Sequence, residues 1–391
     1  MWSQDILNEL DAFEQKAQKR ELFTVRDADK RWLTMKGRRL LNLASNNYLG
    51  LSGHERLKAA AIRAITEYGV GATASRLIVG NHPLYEKAEN ALKIWKRAEA
   101  SLILHSGYAA NIGILSAVIG RNGVVFSDKF NHASIVDGSI LSRAEHKRYR
   151  HNDMTHLEAL LKKTPKDKRK LIVTDTIFSM DGDKALLLDL VTLKERYNAI
   201  LMVDEAHGSG VYGPNGEGYS YEVNLQGKID ILMGTFSKAM GCYGAYVTGE
   251  PYIIDYLKNK MRSFIFSTGL PPMILASIQE AIYFVQEEPD RRERLQTLSD
   301  DFREALSLYG FDTCNSTSQI IPLRIGSNEK TIEFSERLQE AGIAAIAVRP
   351  PTVPNGEARI RFALTSEHDA EELAWAVDKI ASVGKELGVI L

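Results

Sequence analysis

Short apolar runs alternate with longer helical patterns through the middle of this 391-residue chain. The runs have the length of buried strands, and the segments between them repeat apolar residues with the period of a helix. Such alternation favours an α/β domain with a mostly parallel sheet, in which ligands bind at the carboxyl ends of the strands. The predicted strands are Ala100–Leu104, Gly123–Ser127, Lys170–Thr174, Ala199–Val203, Ile229–Gly234 and Gly244–Thr248, and the predicted helices include Ala109–Ile119, Thr155–Lys163 and Leu188–Tyr197.

The pattern changes after about Glu287, where a charged linker runs into a long amphipathic helix. A smaller α+β unit follows, and the first residues of the chain also read as an amphipathic helix. We therefore predict an N-terminal arm over 1–45 that packs on the small domain, a large domain over 46–285 and a small domain over 286–391. The small domain has predicted strands near Ile320–Ile325, Ile343–Val348 and Ala358–Ala363 and predicted helices near Thr331–Ala341 and Asp369–Glu386.

The overall charge and the cysteine content argue against several classes of protein. Lys and Arg total 49 and Asp and Glu total 50, so the net charge of −1 gives no global attraction to nucleic acid or anionic lipid. Two cysteines, Cys242 and Cys314, do not make a disulfide framework or a four-ligand zinc site. No apolar stretch approaches the roughly 18 residues of a membrane span, and the charged N-terminus lacks the apolar core of a signal peptide. We expect a cytoplasmic protein that binds no metal, nucleic acid or membrane.

Three patterns resemble nucleotide or nucleic-acid sites but lack the context that such sites need. The basic stretch 162–170 has no interleaved aromatic residues and reads as a solvated loop. GSGVYG, residues 208–213, fits a dinucleotide fingerprint, but Pro214 and the glycines after it oppose the helix that this fingerprint must open. DEAH, residues 204–207, is typical of helicases, yet the chain contains no phosphate-binding G-x-x-x-x-G-K-[ST] loop. A P-loop helicase is therefore disfavoured.

Four predicted strand ends carry polar residues that one ligand could use. Ser106–Tyr108 forms a turn before a helix, which is a ready phosphate site or an ordinary turn. His132 follows a second strand and either caps a helix or stacks on a planar ligand. Asp204 ends a third strand, with His207 three residues later, and needs a cation or hydrogen-bond donors if it is buried. Lys238 lies just beyond a fourth strand, where a lysine can face a cleft.

Pyridoxal phosphate would use all four strand ends. This cofactor needs an amine for its aldehyde, a cradle for its phosphate and a carboxylate beside its ring nitrogen. A buried carboxylate favours the protonated ring nitrogen, and the resulting pyridinium accepts electrons. We therefore expect Lys238 to form the imine and Asp204 to pair with the ring.

The chain also resembles the α-oxoamine synthases, a family with the fold-type I architecture of pyridoxal-phosphate enzymes. The resemblance implies an α/β transferase whose large domain holds a mostly parallel seven-stranded sheet, followed by a smaller α+β C-terminal domain. It covers nearly the whole chain through SNNYLGL (45–51), SGYAAN (106–111), NHAS (131–134), FSMDGD (178–183), VDEAHGSGVYG (203–213), GTFSKAMG (234–241), FSTGLPP (266–272) and VRPPTVPNGEARIRF (348–362).

The resemblance implies a role for each residue around the cofactor ring. Lys238 would carry the imine and shuttle protons, and Asp204 would pair with the pyridine nitrogen. His207 would bond the ring oxygen, Ser179 would line the same pocket, and His132 would stack on the ring. Lys238, His132, Asp204 and His207 are thus the expected catalytic residues.

The phosphate is expected to lie against the Gly107–Tyr108 turn and Thr235, with Ser106 and Ser237 in the same cofactor-binding set. Ser267 and Thr268 match a segment that, in the family, reaches the phosphate of the other subunit. The resemblance therefore implies a homodimer with active sites at the subunit interface.

Substrate contacts follow from the same resemblance. Arg361 and Asn46 would hold the amino-acid carboxylate, with His132 beside the substrate, while Arg20 and Thr352 match positions that bind the acyl substrate and Arg349 is a weaker candidate. The RPPTVP stretch points to a decarboxylative condensation of L-alanine with a pimeloyl thioester, carried by coenzyme A or by acyl carrier protein. Family members that use glycine or serine are the alternative. Four departures from the commoner family pattern leave the acyl preference open: Ala72, Ala74, Cys242 and Tyr243.

Overall fold

The computed structural model describes residues 2–391, and the chain divides into two compact units. The large unit consists of Leu49–Ser179 and Lys184–Arg292. The small unit consists of the segment that ends at Tyr48, the four residues Met180–Asp183, and Glu293–Leu391. The sequence analysis did not predict that the short segment Met180–Asp183 belongs to the small unit. The boundaries at 45/46 and 285/286 stay predictions.

The elements are numbered in chain order. The strands are β1 (Val25–Arg26), β2 (Trp32–Met35), β3 (Arg38–Asn42), β4 (Ala100–Leu104), β5 (Gly123–Asp128), β6 (Glu145–Tyr149), β7 (Arg169–Asp175), β8 (Ile200–Asp204), β9 (Ile231–Thr235), β10 (Ala245–Gly249), β11 (Ile320–Gly326), β12 (Ile343–Ala344), β13 (Ala347–Val348) and β14 (Ala358–Ala363). The helices are α1 (Trp2–Gln15), α2 (Glu55–Tyr68), α3 (Pro83–Trp95), α4 (Gly107–Val118), α5 (Ala133–Ser142), α6 (Met154–Lys162), α7 (Leu187–Tyr197), α8 (Tyr219–Glu222), α9 (Pro251–Lys260), α10 (Arg262–Ile265), α11 (Pro272–Glu287), α12 (Asp290–Leu308), α13 (Asn328–Glu340) and α14 (Ala370–Glu386), with a π-helical turn at Arg76–Gly80.

The large unit is built on a seven-stranded sheet with the order β4-β10-β9-β8-β7-β5-β6. The strands β6, β5, β7, β8 and β9 run parallel, and β10 is antiparallel to both of its neighbours. The predicted α/β fold with a mostly parallel seven-stranded sheet is confirmed. Because the parallel strands end at one edge, their terminal residues meet there.

The strands of this sheet and the helices packed against it are apolar, as the alternation of apolar runs and helical patterns in the sequence predicted. Val125, Leu171, Val173, Met202 and Met233 lie in one buried cluster with the apolar faces of α4 and α9. Strands buried on both faces read as continuous apolar runs, which is why they are visible in the sequence. The edge strand β6 was not predicted, because its sequence EHKRY is charged and only partly buried.

The small unit holds two small sheets. One has the order β11-β14-β13, and the other has the order β1-β2-β3-β12. The prediction of a single strand over Ile343–Val348 is wrong, because β12 pairs with β3 while β13 pairs with β14. The residues between β12 and β13 carry the chain from one sheet to the other, so one apolar run serves two strands.

The N-terminal helix α1 ends at Gln15 and buries none of its side chains. Within residues 2–391, no helix combines the length and the apolar character that crossing a bilayer requires. The same residues contain no cluster of His, Cys, Asp and Glu arranged to bind a metal.

Candidate active site

Two buried carboxylates lie side by side where neighbouring parallel strands end. Asp175 ends β7 and Asp204 ends β8, and the two residues are paired in the register of these strands. Asn111 Nδ2 donates to Asp204 Oδ2 at 2.8 Å, and the Ala206 N–H donates to Asp204 Oδ1 at 2.8 Å. Asp204 is therefore a fixed acceptor at the carboxyl edge of the sheet. A carboxylate in such a place favours the protonated form of a nitrogen that binds opposite it.

Asp175 was not among the predicted site residues, although it bonds one of them directly. Its Oδ2 accepts the His132 N–H at 2.8 Å. Burial raises the pKa of Asp175 well above its ordinary value and the negative charge of Asp204 raises it further, while the His132 hydrogen bond and the positive charge of Lys238 oppose this rise. The protonated form of Asp175 is thus favoured beside Asp204.

His132 caps α5, and the neighbouring serine fixes its ring. Its Nδ1 lies 2.7 Å from Ser134 Oγ, which in turn accepts from Asn111 Nδ2 at 2.9 Å. Asn111 also bonds Asp204, so one amide links the histidine cap to the carboxylate. Desolvation lowers the pKa of His132, which favours the neutral imidazole. The residue is exposed in this chain, so it can offer ring surface to a planar ligand.

The predicted phosphate cradle lies at the start of α4. Ser106 caps this helix by accepting the Ala109 N–H at 3.3 Å, so the N–H groups of the first turn stand at the positive end of the helix dipole. A Cβ at Gly107 would lie 2.7 Å from Cγ2 of Thr235, a contact that only glycine avoids. The start of α4 and the end of β9 are thereby in close contact.

Two buried polar atoms at this edge have no hydrogen-bond partner within residues 2–391. They are Thr235 Oγ1, beside the start of α4, and Asn111 Oδ1, beside Asp204. An unpartnered buried polar atom is costly, and both atoms would gain partners from a polar ligand. The helix start, the close approach of Gly107 and the orphaned Thr235 hydroxyl fit a phosphate group, so the site fits pyridoxal phosphate.

Lys238 follows β9 by three residues and is half-buried, whereas its neighbour Ser237 is exposed. The positive charge of Lys238 lowers the pKa of both His132 and Asp175, and β9, which Lys238 follows, is the parallel neighbour of β8. The structure therefore brings Lys238 to the same strand-end edge as the two carboxylates. His207 is buried in the loop after β8, and Ser179 is half-buried immediately before the Met180–Asp183 segment.

The segment with Ser267 and Thr268 lies against the end of β4 within the same chain. The Thr268 carbonyl contacts His105 Nε2, and Thr268 forms an isolated bridge with Ser75. Tyr108, at the start of α4, is exposed, and its hydroxyl donates to Asp137 Oδ2. Whether this segment reaches a second subunit stays a prediction.

The predicted substrate residues Arg361 and Asn46 contact one another in the small unit. Arg361 Nη2 donates to Asn46 Oδ1 at 3.0 Å and lies 3.3 Å from the Tyr48 hydroxyl, which also donates to Asn46 Oδ1 at 3.0 Å. Arg361 therefore lies beside Asn46 and Tyr48. A guanidinium can bind a carboxylate through two parallel hydrogen bonds.

The residues predicted for the acyl substrate form a second group in the small unit. Arg349 Nη1 donates to the Ala17 carbonyl, and Nη2 donates to the Lys19 carbonyl at 3.3 Å. Burial lowers the pKa of Arg349, and the nearby positive charge of Arg20 lowers it further. The exposed Thr352 donates its backbone N–H to the Arg349 carbonyl at 3.1 Å. Arg349 thus contacts the segment that carries Arg20, and Thr352 lies beside Arg349. Their role in binding the acyl substrate stays a prediction.

A buried lysine supports the loop that carries His207. Lys96 Nζ donates to the Glu217 carbonyl and lies 3.3 Å from Ser209 Oγ, and its ammonium sits 4.8 Å from the centroid of the Tyr246 ring. Burial lowers the pKa of Lys96 to about 7, although the charges of Glu205 and Glu217 oppose this shift. No motif in the sequence marks this lysine.

The comparisons with known proteins agree with this geometry. Residues 38–380 match the family model described as aminotransferase class I and II. The chain belongs to this family. The prediction of a fold-type I transferase of the α-oxoamine synthase type is confirmed, and with it pyridoxal phosphate as the cofactor.

Two sequence relatives match this chain over almost its whole length. A protein of Bacillus cereus (strain G9842) named "Putative 8-amino-7-oxononanoate synthase" is 58% identical over 386 residues, which is 98% of each chain. A protein of Bacillus mycoides (strain KBAB4) with the same name is 56% identical over 392 residues, which is all of this chain and 99% of the other.

Solved structures of two enzymes share the fold. Serine palmitoyltransferase from Sphingomonas wittichii matches with a TM-score of 0.93 at 29% identity and covers 99% of this chain and 98% of its own. A serine palmitoyltransferase variant from S. paucimobilis, with a bound PLP–myriocin aldimine, matches with a TM-score of 0.93 at 28% identity over 99% of this chain and 98% of its own. 8-Amino-7-oxononanoate synthase from Francisella tularensis matches with a TM-score of 0.78 at 28% identity over 89% and 98%.

Asp175, Asn111 and Ser134 are the residues at this edge that the sequence analysis missed. Asp175 directly follows a predicted strand, as Asp204 does, so the same strand-end argument could have found it. Asn111 and Ser134 lie inside the motifs SGYAAN and NHAS, but their contacts depend on how α4 packs against α5. That packing carries no local signal in the sequence.

Proposed function

We propose that this chain is an 8-amino-7-oxononanoate synthase. It condenses L-alanine with a pimeloyl thioester, carried by coenzyme A or acyl carrier protein, and forms 8-amino-7-oxononanoate, carbon dioxide and a free thiol, as in biotin biosynthesis. The observation that carries this proposal is the 58% identity, over 98% of both chains, to a protein that bears this name.

The strand-end residues support a division of roles around the cofactor. When bound, pyridoxal phosphate supplies an aldehyde that captures amines and a ring that accepts electrons. The start of α4 and the Thr235 hydroxyl would hold its phosphate, and Asp204 would hold its ring nitrogen in the protonated form. His132 would cover one face of the ring. His207 and Ser179 would bond the ring oxygen and line the pocket.

Lys238 is the group that moves the proton. Its amine would hold the cofactor between turnovers, take the proton from Cα of alanine after displacement, and return a proton to the same carbon. Lys238 is half-buried, which limits access of water to this amine. The new carbon–carbon bond forms between Cα and the thioester carbonyl as the thiol leaves, and the carboxylate is then lost as carbon dioxide.

The small unit would supply the substrate contacts. Arg361, with its neutral partners Asn46 and Tyr48, would hold the alanine carboxylate. Arg20 and Arg349 would attract the free carboxylate at the far end of the pimeloyl chain, and Thr352 would bond it. The positive charge of Arg20 lowers the pKa of Arg349, and a dicarboxylic acyl group would offset the repulsion between the two arginines.

A homodimer fits the exposed apolar surface of the large unit. Leu77, Ile78 and Val79 are 55–78% exposed on the π-helical turn, and Phe266 is 70% exposed. The bridge between Ser75 and Thr268 joins the two segments that carry these side chains. Apolar residues that cluster on a surface are typical of a protein interface. In such a dimer, Ser267 and Thr268 would reach the phosphate of the other subunit.

A sister enzyme that uses glycine or serine is the second candidate. The TM-score of 0.93 to serine palmitoyltransferase favours it, against 0.78 for the 8-amino-7-oxononanoate synthase structure. All these structures are 28–29% identical to the chain, however, whereas the sequence relatives are twice as similar. The P-loop helicase stays disfavoured because the chain lacks the phosphate loop, and a cytoplasmic location stays an expectation from the sequence.

The deciding experiment is turnover with a panel of amino acids. The cofactor-loaded enzyme is mixed with pimeloyl-coenzyme A and with L-alanine, glycine or L-serine, and thiol release is followed together with the mass of the product. We expect L-alanine to give the highest kcat/KM and a product with the mass of 8-amino-7-oxononanoate. A preference for glycine or serine would assign the chain to the sister group.

A further inference from the structure

The segment 16–39 of the small unit is strongly basic, although the chain as a whole is almost neutral. It holds nine lysines and arginines against Glu21, Asp27 and Asp29, a net charge of +6 in a chain of net charge −1. All nine cations are exposed. Charge concentrated in this way creates a local field that attracts an acidic partner. The nine cations are Lys16, Lys19, Arg20, Arg26, Lys30, Arg31, Lys36, Arg38 and Arg39.

The pairing of β1, β2 and β3 places part of this charge on the outer face of the small sheet. Arg26 pairs with Thr34, and Thr34 pairs with Arg39, so these three residues share one face of the small sheet. The opposite face buries Leu33 and Leu40 in a small apolar cluster. The buried face therefore fixes the pairing register of the strands, because a shift by one residue would expose its apolar side chains. The outer face and the tight turn at 36–37 form what we call the basic hairpin face: Arg26, Lys36 and Arg39.

The cations of the basic hairpin face have no acidic partner among residues 2–391. Arg39 lies over the Trp32 ring at 5.1 Å, and Lys36 lies 5.8 Å from the Phe23 ring. Lys30 and Arg31 behave differently, because Asp27 and Glu372 pair with them at 3.0 and 3.5 Å. Like charges that are left unpaired on one face are unfavourable for folding, so their presence points to use by a partner.

The shape of this region favours a protein over a single nucleotide. The concave part beside Trp32 is a cavity of about 470 Å³, and its lining includes the carboxylates Asp27 and Glu372. Those carboxylates already neutralise two of the cations that line the cavity, so the cavity is poorly suited to bind phosphate. Arg39 also lines this cavity, whereas Arg26 and Lys36 are not among its lining residues and lie on the sheet face and the turn, as at the polar rim of a protein interface.

The basic segment also leads into the predicted acyl-binding group. Arg20 lies within it and influences the pKa of Arg349, which bonds the carbonyls of Ala17 and Lys19. A partner bound on the basic hairpin face would thus contact the same segment that holds the acyl-binding arginine.

We propose that the basic hairpin face docks an acidic carrier protein that presents the pimeloyl thioester on a flexible arm. This proposal rests on the proposed function, because it specifies the form in which the acyl donor arrives. Such a face accelerates encounter and sets orientation more than it adds contact energy. Its signature is a salt-sensitive KM for the carrier-bound donor, with kcat unchanged.

The test compares two donors with the cofactor-loaded enzyme and L-alanine. One donor is pimeloyl-acyl carrier protein, and the other is pimeloyl-pantetheine, which has the same thioester without the protein. The variant Arg26→Glu/Lys36→Glu/Arg39→Glu reverses the three charges of the basic hairpin face. The matched control Lys163→Glu/Lys166→Glu/Arg169→Glu reverses three exposed charges in the basic loop of the large unit. Replacement of Arg26, Lys36 and Arg39 by glutamine tests removal of charge without reversal.

We expect the hairpin variant to raise KM for the carrier-bound donor about tenfold or more at low ionic strength, with kcat unchanged. The effect should shrink in about 0.5 M salt, where the Debye length is only a few ångströms. KM for pimeloyl-pantetheine should change less than about twofold, as expected for exposed residues that do not touch the donor. The control variant should change neither value, and the glutamine variant should lie in between.

Three outcomes would overturn the proposal. One is an equal loss with both donors, another is no loss with either, and the third is a control variant as impaired as the hairpin variant. Binding of a short DNA duplex that the hairpin variant loses, with no binding of the carrier, would also count against it. A wild-type enzyme that turns over neither donor would instead contradict the proposed function. Far-ultraviolet circular dichroism and a thermal melt separate a folding defect from a docking defect.

Discussion

The polar centre at the carboxyl ends of β7, β8 and β9 and the arginine centre around Arg359 are both buried, but their side chains are partnered in different ways. In the small unit, the fully buried Arg359 donates to Asp181 Oδ1 at 2.6 Å, to Glu357 Oε2 at 3.0 Å and to the Met180 carbonyl at 3.2 Å. At the strand ends, Thr235 Oγ1 and Asn111 Oδ1 find no partner within residues 2–391.

This difference separates a structural network from a ligand site. The Arg359 network pairs a cation with two carboxylates of the same unit, so its charges are compensated without a ligand. The strand-end centre holds two neighbouring carboxylates and unused hydrogen-bonding capacity, which a bound phosphate and ring could employ. Loss of a group should therefore affect stability in the first centre and cofactor use in the second.

Replacement of the strand-end amine should have the largest effect. We expect Lys238→Ala to lower kcat by about a thousandfold or more, because it removes the group that moves the proton at Cα. The free energy of unfolding of the cofactor-free protein should change by less than about 1 kcal/mol, since the side chain is only half-buried. Thiol release and urea unfolding measure the two quantities. The control Lys260→Ala removes an exposed lysine and should leave both unchanged, whereas a Lys238→Ala enzyme with normal turnover would refute the assignment.

Replacement of the buried arginine should have the opposite signature. Arg359→Met is expected to lower the free energy of unfolding by about 3–5 kcal/mol, because it leaves Asp181 and Glu357 without their cation. Arg324 is the matched control, since it pairs with Arg359 across β11 and β14 but is exposed. Arg324→Met should cost less than about 1 kcal/mol. Equal losses in the two variants, measured by urea unfolding, would mean that the Arg359 network is not the source of the stability.

The strand-end centre was largely visible in the sequence, whereas the Arg359 centre was not. Asp204 and Lys238 follow apolar runs that read as strands, and all parallel strands end at one edge, so local patterns predict their meeting. Arg359 lies in a predicted strand, but its partner Asp181 belongs to a motif 178 residues away in the sequence. A pairing over that distance follows from tertiary packing and leaves no periodic signal.

The same reasoning explains the errors in the fold. Strands such as β4 and β14 were predicted with their observed bounds, because apolar runs and flanking turns define them. The strand β6 was missed, because its sequence EHKRY is mostly charged and only its last residue is buried. The strand β2 was missed, because four residues that alternate between half-buried and buried give too short a pattern to recognise. The run Ile343–Val348 was assigned to one strand because burial alone does not reveal a change of sheet.

The orphaned hydroxyl of Thr235 offers a smaller but sharper test. We expect Thr235→Val to weaken pyridoxal phosphate binding about tenfold, the value of one charge-assisted hydrogen bond. The cofactor-free protein should keep or gain stability, by up to about 1 kcal/mol, because valine keeps the shape and removes an unpartnered buried oxygen. Fluorescence titration and urea unfolding give the two values, with Thr235→Ser as the control that retains the hydroxyl. A loss of stability without a change in affinity would place this threonine with the structural network.

The effect expected at Asp175 depends on pH. Its folded-state pKa lies above the ordinary value, so the stability it contributes is complete at low pH and is lost as the pH rises through the folded-state pKa. Asp175→Asn removes this titration and keeps an oxygen that accepts the His132 N–H. The variant should therefore gain stability relative to the wild type as the pH increases from about 5 to 8, by at most about 1.4 kcal/mol per pH unit. Urea unfolding of the cofactor-free protein measures this slope. An unchanged difference across this range would show that Asp175 has the same charge in the folded and unfolded chains, and the two strand-end carboxylates would then both require a cationic ligand.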